Sequence, residues 1–176
     1  MDNASITLLS LLAVGALLTL LFIFFVKKDM INPKYDERQK TINLQGNTLG
    51  FVITYFLAFV YILLFRLDFF EISGQFVATS FMFIPITVQI CHNILKGGLF
   101  AINVSRKTYH ILFFILGMTG FMMLALNIYH MSLEPAPLAN FFSASGIGQG
   151  FLMAGLCLSV SLAYAYRIYL DKKEIR

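Results

Sequence analysis

The sequence predicts an all-α fold, a polytopic membrane helix bundle with five transmembrane helices. Three observations predict it. Hydrophobic residues make up 59% of the 176 residues and charged residues only 12%, compared with about 25% charged residues in soluble domains. The apolar residues fall into long continuous stretches that can each cross a bilayer. Basic residues separate alternate stretches, which indicates how the helices are oriented in the membrane.

Each apolar stretch is interpreted as one helix, because about 20 apolar residues span the hydrocarbon core. The stretches do not alternate with polar residues, so membrane strands are not expected. The predicted spans cover residues 6–26, 48–65, 76–95, 109–129 and 147–166. The first is interpreted as a retained helix and not as a signal peptide, because Asp2 and no basic residue precedes it. Residues 1–176 are therefore expected to form a single integral membrane domain.

Lysine and arginine occur mainly in three segments of the chain. Five follow the first span, three follow the third and four follow the fifth, whereas the remaining gaps hold only Arg66. Cytoplasmic loops of membrane proteins retain basic residues. The N-terminus is therefore predicted outside and the C-terminus inside, in a multi-pass protein of the cell membrane. The net charge of +4 is attributed to contact of the basic loops with anionic headgroups of the lipid bilayer. No nucleic-acid partner is expected.

Catalytic and metal-binding patterns are not found in the sequence. No Asp, Glu, Lys or Arg lies at the centre of a predicted span, where proton relays and ion-coupled transporters place such groups. The three histidines have no carboxylate or thiol at ligand spacing, and the serines and threonines lack a placed general base. We therefore expect no catalytic residue, no metal site and no cofactor, and we predict that the protein is not an enzyme.

One polar face is visible on the third predicted span. Gln89, His92 and Asn93 follow Pro85, and their i, i+3 and i+4 spacing places them on one side of a helix. Two interpretations are open. The face can line a small polar pocket of the kind a transporter needs, or its side chains can join neighbouring helices by hydrogen bonds.

Small residues recur at four-residue spacing on two predicted spans. This spacing lets helix backbones approach closely, and such packing drives helix association in lipid. We favour packing within one bundle, and dimerisation of two chains is the alternative, so a homodimer is left open. The rows are Gly46, Gly50, Thr54 and Ala58 on the second span, and Gly146, Gly150 and Ala154 on the fifth, followed there by the related row Gly155, Ser159 and Ala163.

The most distinctive motif is the tetrapeptide Asp36-Glu37-Arg38-Gln39 in the first predicted inner loop. It follows Asn32-Pro33, a helix-start signal, so we expect a short cytoplasmic helix leading into the second span. Its two acidic residues would lie near the positive end of the helix dipole, and Asp36 would pair with Lys40 at i+4. The tetrapeptide is interpreted either as an interaction motif or as a solvated helix start.

At these residues the chain resembles a broad group of small bacterial integral membrane proteins that carry D-E-R-Q, or a similar tetrapeptide, just before a transmembrane helix. The resemblance rests on residues 35–40, on the span that follows and, more weakly, on the Lys96-Gly97-Gly98 turn. The additional first span departs from the commoner four-helix pattern of the group. Some members resemble bacterial immunity or regulator-linked membrane proteins, so the resemblance implies a bacterial inner membrane.

Two functional hypotheses follow. The first is a non-enzymatic accessory membrane protein with an immunity, sensory or regulator-anchoring role, whose interaction motif is Asp36, Glu37, Arg38 and Gln39. Its partner would be a cytoplasmic or membrane protein. The alternative is a small transporter or permease subunit that uses the polar face of Gln89, His92 and Asn93.

Overall fold

The computed structural model describes residues 34–67, 72–133, 142 and 147–174. These residues form four helices, α1 (Glu37–Leu67), α2 (Gly74–Lys96), α3 (Arg106–Leu133) and α4 (Ile147–Glu174). The all-α prediction is confirmed over this part of the chain. The predicted spans 48–65, 76–95, 109–129 and 147–166 lie within α1 to α4 in that order. The first predicted span, 6–26, lies outside the described residues.

All four described helices are long and apolar enough to cross a membrane. The candidate spans cover Glu37–Arg66, Gly74–Lys96, Arg106–Tyr129 and Ile147–Lys173. α1 begins at Glu37, well before residue 48, and α4 continues to Glu174, well past residue 166. The sequence prediction located only the apolar part of each helix, and the polar turns beyond it stay helical because the backbone hydrogen-bond ladder continues through them.

The contacts divide the chain into two units, and of the described residues Lys34 and 101–104 belong to the first and the others to the second. In the first unit, the Lys34 amide donates to Asn103 Oδ1 at 2.9 Å. The Lys34 carbonyl accepts from the Ile102 amide, also at 2.9 Å. The second unit contains α1 to α4 and is the one described from here on.

Within this second unit, the described helices pack side by side in the order α1, α2, α4, α3. α1 runs antiparallel to α2, and Tyr61 stacks on Phe81 with ring centroids 5.5 Å apart. α4 runs parallel to α2. α3 runs antiparallel to α4, and Ser161 Oγ donates to the Phe113 carbonyl at 3.1 Å. Among the described helices, α1 and α3 therefore have one neighbour each.

The buried side chains lie between neighbouring helices. Ile94 and Ala154 are completely buried, and Phe113 stacks on Tyr164 with ring centroids 4.3 Å apart. The outer faces of the two end helices instead expose large apolar residues, including Phe51 on α1 and Phe114 on α3. Exposing so much apolar surface to water is unfavourable. These faces therefore fit contact with lipid.

Small residues allow the close approach of the helices. A Cβ atom at Gly120 of α3 would come within 2.8 Å of Cys157 Cβ on α4. A Cβ at Gly150 of α4 would overlap the side-chain amide of Asn127 on α3. Gly46 of α1 faces the side chain of Asn93 on α2 in the same way. All three contacts join helices of the same chain, as expected if the small residues serve packing within one bundle.

One end of this unit, which we call the basic end, comprises the start of α1, the end of α2, the start of α3 and the end of α4. Arg66, at the end of α1, is the described basic residue on the opposite side. The described helices thus alternate in direction as the charge pattern predicts. The basic end carries Arg38, Lys40, Lys96, Arg106, Lys107, Arg167, Lys172 and Lys173.

Candidate functional site

Asp36 and Gln39 form a reciprocal capping box at the start of α1. Asp36 Oδ1 accepts a hydrogen bond from the Gln39 amide at 2.6 Å. Gln39 Oε1 accepts one from the Asp36 amide at 3.1 Å. The first amides of a helix have no partner within the helix, and a capping box satisfies two of the amides at this end. The outer residues of the tetrapeptide therefore define where α1 begins.

The start of α1 differs from its sequence prediction in three respects. Residues 34–36 are not helical, so α1 does not begin at Asn32-Pro33, and those two residues lie outside the described chain. The short helix expected to lead into the second span is instead the first part of one continuous helix of 31 residues that includes this span. Lys40 pairs with Glu37 at 2.8 Å and not with Asp36, because the Asp36 carboxylate caps the helix.

Gln39 also attaches α1 to the segment that follows α2. Its Nε2 donates to the Phe100 carbonyl at 2.7 Å. One turn further along α1, Asn43 Nδ2 donates to the Gly98 carbonyl at 3.3 Å. Gly98 lies against the Ile42 side chain, and a Cβ at this glycine would come within 2.5 Å of Ile42 Cγ2. The start of α1 is thus held against a second element of the basic end.

The two inner residues of the tetrapeptide point away from this attachment. The Glu37 side chain is 92% exposed. Arg38 is exposed and makes no polar contact with another described residue. Tyr35, just before the motif, is half-buried, and burial raises the pKa of its phenol, so this side chain adds no charge. Glu37 and Arg38 are therefore displayed by a helix start whose position is fixed.

The polar face of α2 packs against α1. Gln89 Nε2 donates to Asn47 Oδ1 of α1. Asn93 is buried over Gly46, and its Oδ1 lies 3.4 Å from His92 Nδ1. The Asn93 carbonyl also accepts from the Gly98 amide at 2.7 Å, closing the end of α2. Gln89 and Asn93 thus contribute to the contact between α1 and α2.

A second polar group joins the end of α4 to the end of α2. Arg167 Nη1 donates to the Leu95 carbonyl at 3.1 Å, and Arg167 Nη2 lies 2.9 Å from Asp171 Oδ1. Leu95 is in the last turn of α2, where carbonyls lack helical partners and the helix dipole favours a cation. The Arg167 and Asp171 side chains are 24% and 23% exposed, so solvent screens their attraction less than that of a surface pair.

A cavity of about 340 Å³ lies beside this ion pair, between the start of α3 and the end of α4. Arg106 Nη1 reaches Asp171 Oδ2 at 3.2 Å, so both arginines share one carboxylate. The Tyr164 hydroxyl and His110 Nδ1 lie 3.0 Å apart. The polar lining residues are Arg106, His110, Tyr164, Arg167, Asp171 and Lys172, and the apolar ones are Phe100 and Ile168.

No protein-family model, curated protein or solved structure matches this chain. The resemblance of the tetrapeptide to a group of small bacterial membrane proteins stays a prediction. The function is therefore argued from the residues and their geometry.

Sequence reasoning did not single out the cavity. Its basic residues counted only toward the orientation of the helices, and His110 received no role. The sequence does contain one signal, since Tyr164, Ile168 and Asp171 recur at helical spacing on one face of α4. The partner of that face is the start of α3, which is remote in sequence, so only the packing of the two helices brings the cluster together.

Proposed function

We propose that this chain is a non-enzymatic accessory protein of bacterial inner-membrane type, with an immunity, sensory or regulator-anchoring role. It presents Glu37 and Arg38 to a protein partner at the cytoplasmic face of the membrane. The proposal includes five spans, with the N-terminus outside and the C-terminus inside. The observation that carries it is the division of the tetrapeptide, in which Asp36 and Gln39 bind the helix start while Glu37 and Arg38 extend outward.

Fixing the displayed residues favours binding. The capping box and the bond from Gln39 to the Phe100 carbonyl set the position of the first turn of α1. A partner then loses less entropy in ordering this turn. The Arg38 guanidinium offers five donors in a planar fork, which suits a carboxylate or a pair of backbone carbonyls. Such a surface is better suited to binding a protein than to catalysis.

The alternative, a small transporter or permease subunit, depends on the polar face of Gln89, His92 and Asn93. A transport site needs polar groups that remain accessible to a substrate. Gln89 bonds to Asn47 of α1, and Asn93 is 4% exposed and packs against Gly46. These contacts use the face for helix packing and favour the accessory role.

The test replaces Arg38 and asks whether function is lost without loss of the protein. Arg38→Glu is expected to abolish complementation of a strain that lacks the gene, because it reverses the charge that faces the partner. Its abundance in membrane fractions, measured by immunoblot, is expected to stay unchanged, because Arg38 has no polar contact with a described residue.

Lys107→Glu is the matched control. Lys107 is exposed at the same basic end, and the substitution changes the net charge by the same amount. We expect this variant to complement fully. Full complementation by Arg38→Glu at normal abundance would leave the tetrapeptide as a helix start only. If neither variant complements, the loss of function comes from the change in net charge and not from the motif.

A further inference from the structure

The cavity at the basic end contains positive charge that its own residues do not balance. Arg106, Arg167 and Lys172 line it together with a single carboxylate, that of Asp171. Both arginines already share this carboxylate, at 3.2 Å and 2.9 Å. Lys172 is exposed and has no polar partner among the described residues. An anion between these groups would complete the charge balance.

The same lining offers hydrogen-bond donors in addition to charge. Arg167 Nε is buried and has no hydrogen-bond partner among the described residues, and a buried donor without a partner is costly. The Tyr164 hydroxyl and His110 Nδ1 pair with each other at 3.0 Å, and this pair leaves one further donor, either the hydroxyl or the His110 Nε2–H. An anion with several acceptor oxygens can use these donors and the arginines together, and phosphate geometry suits guanidinium groups well.

The position of the cavity indicates where such an anion comes from. It lies at the basic end of two candidate membrane spans, at the level where headgroups meet helix ends. Phe114 is one turn from His110 on α3, and it is 69% exposed. A phosphate in the cavity would thus have an apolar surface beside it on which an acyl chain can lie. The volume of about 340 Å³ lies within the range of ligand pockets, about 300–1,000 Å³.

We propose that this cavity binds a phosphate-bearing anion, and that the phosphate of an anionic phospholipid headgroup is the source it fits best. Arg106 and Lys172 attract the phosphate, while Arg167 holds the floor of the site through its bond to Leu95. Basic pockets between transmembrane helices are a recurrent form of anionic-lipid site. The bound lipid would join the start of α3 to the end of α4.

The experiment uses the full chain in detergent and measures the melting temperature during three separate titrations. The probes are a short-chain phosphatidylglycerol, the matching phosphatidylcholine, and inorganic phosphate. We expect phosphatidylglycerol to raise the melting temperature in a saturable way and phosphatidylcholine to have little effect. Lys172→Gln and Arg106→Gln should each weaken the apparent affinity by about fivefold, the effect of one basic residue near an anionic headgroup.

The chain supplies two matched controls. Lys173→Gln and Lys107→Gln remove the same charge from neighbouring exposed positions that do not line the cavity. Both should keep the parent affinity. Lys172 has no polar partner among the described residues, so its variant should also melt like the parent before any probe is added, which separates loss of binding from loss of folding.

Each outcome of these titrations bears on the proposal. Saturation by phosphatidylglycerol alone assigns the site to a lipid headgroup. Saturation by inorganic phosphate as well, lost in Lys172→Gln, assigns it to phosphate in general. The proposal is overturned if no probe gives saturable stabilisation, if phosphatidylcholine acts equally well, or if the two control variants weaken affinity as much as the cavity variants.

Discussion

Asp36 and Gln39 together cap the start of α1, so the two residues between them are not needed for capping. Its carboxylate accepts the Gln39 amide, and its own amide is satisfied by the Gln39 side chain. Neither residue then has its capping group free for a partner. Glu37 and Arg38 need no capping role because Asp36 and Gln39 provide it, and their side chains remain in solvent.

We predict that Asp36→Ala loosens the first turn of α1. Loss of a helix cap costs about 1 kcal/mol, which corresponds to about fivefold faster amide exchange where this turn opens locally. Hydrogen–deuterium exchange over residues 37–41 is the measurement. Asp36→Ser retains an oxygen that can cap the helix and should exchange like the parent. Equal exchange in all three proteins would contradict a capping role.

Part of this site could be predicted from the sequence, and part could not. An Asp followed three residues later by Gln is the spacing of a capping box, so the true start of α1 was present in the motif, but Asn32-Pro33 is a competing start signal. The shared carboxylate of Asp171 was not predictable. It depends on Arg106 and Arg167 approaching from two helices, and no local pattern encodes that approach.

At the scale of helices, apolar stretches located the described spans well and their ends poorly. Hydropathy measures the cost of burying side chains in lipid, whereas a helix ends where its backbone groups find other partners. At the end of α2, Gly97 adopts a left-handed φ of 78°, and its amide returns to the carbonyls of Asn93 and Ile94. Such caps, and not hydropathy, set the helix bounds.

We predict that leucine at Gly150 lowers the melting temperature in detergent. The new side chain would displace Asn127, whose amide donates to the Met123 carbonyl, and overpacking of this kind costs about 1–3 kcal/mol. Gly50→Leu should act similarly but less strongly, because a Cβ there would be in ordinary van der Waals contact with the Pro85 carbonyl at 3.5 Å, and only the remaining atoms of leucine would press against α2.

Gly155→Leu is the control for these glycine substitutions. Gly155 is on the same helix as Gly150, but a Cβ atom at this position would meet no described neighbour within 4 Å. The control should melt like the parent, apart from the small gain in helix propensity on replacing glycine. If all three leucine variants have the same melting temperature, the small-residue rows do not hold the helices against one another.

At the scale of the whole molecule, the sequence predicted the four described helices but not which of them touch. Lipid-facing and helix-facing surfaces are both apolar in a membrane, so hydropathy does not distinguish them. Only sparse features do so, such as Gly46 beneath Asn93 or the bond between Gln149 and Thr79. These features involve residues remote in sequence, and their pairing emerges only in the fold.

The predicted topology can be tested with an impermeant thiol reagent on single cysteines in a Cys-free variant. Positions 34 and 105 should be protected in intact cells, because basic loops are retained inside. Positions 3, 75 and 132 should be labelled. Gln75 is preferred to Ser73, because the Ser73 hydroxyl caps α2. Labelling of position 34 without labelling of position 75 would show that the orientation is the opposite of the predicted one.

The order in which the described helices pack has a consequence for biogenesis. α3 leaves the ribosome before α4, yet within the described unit it packs only against α4, which is placed between α2 and α3. Until α4 is inserted, the surfaces of α2 and α3 that it covers have no partner among the described helices. Assembly of the described unit therefore waits for α4, and a nascent chain stalled before residue 147 should be a substrate for membrane quality-control proteases.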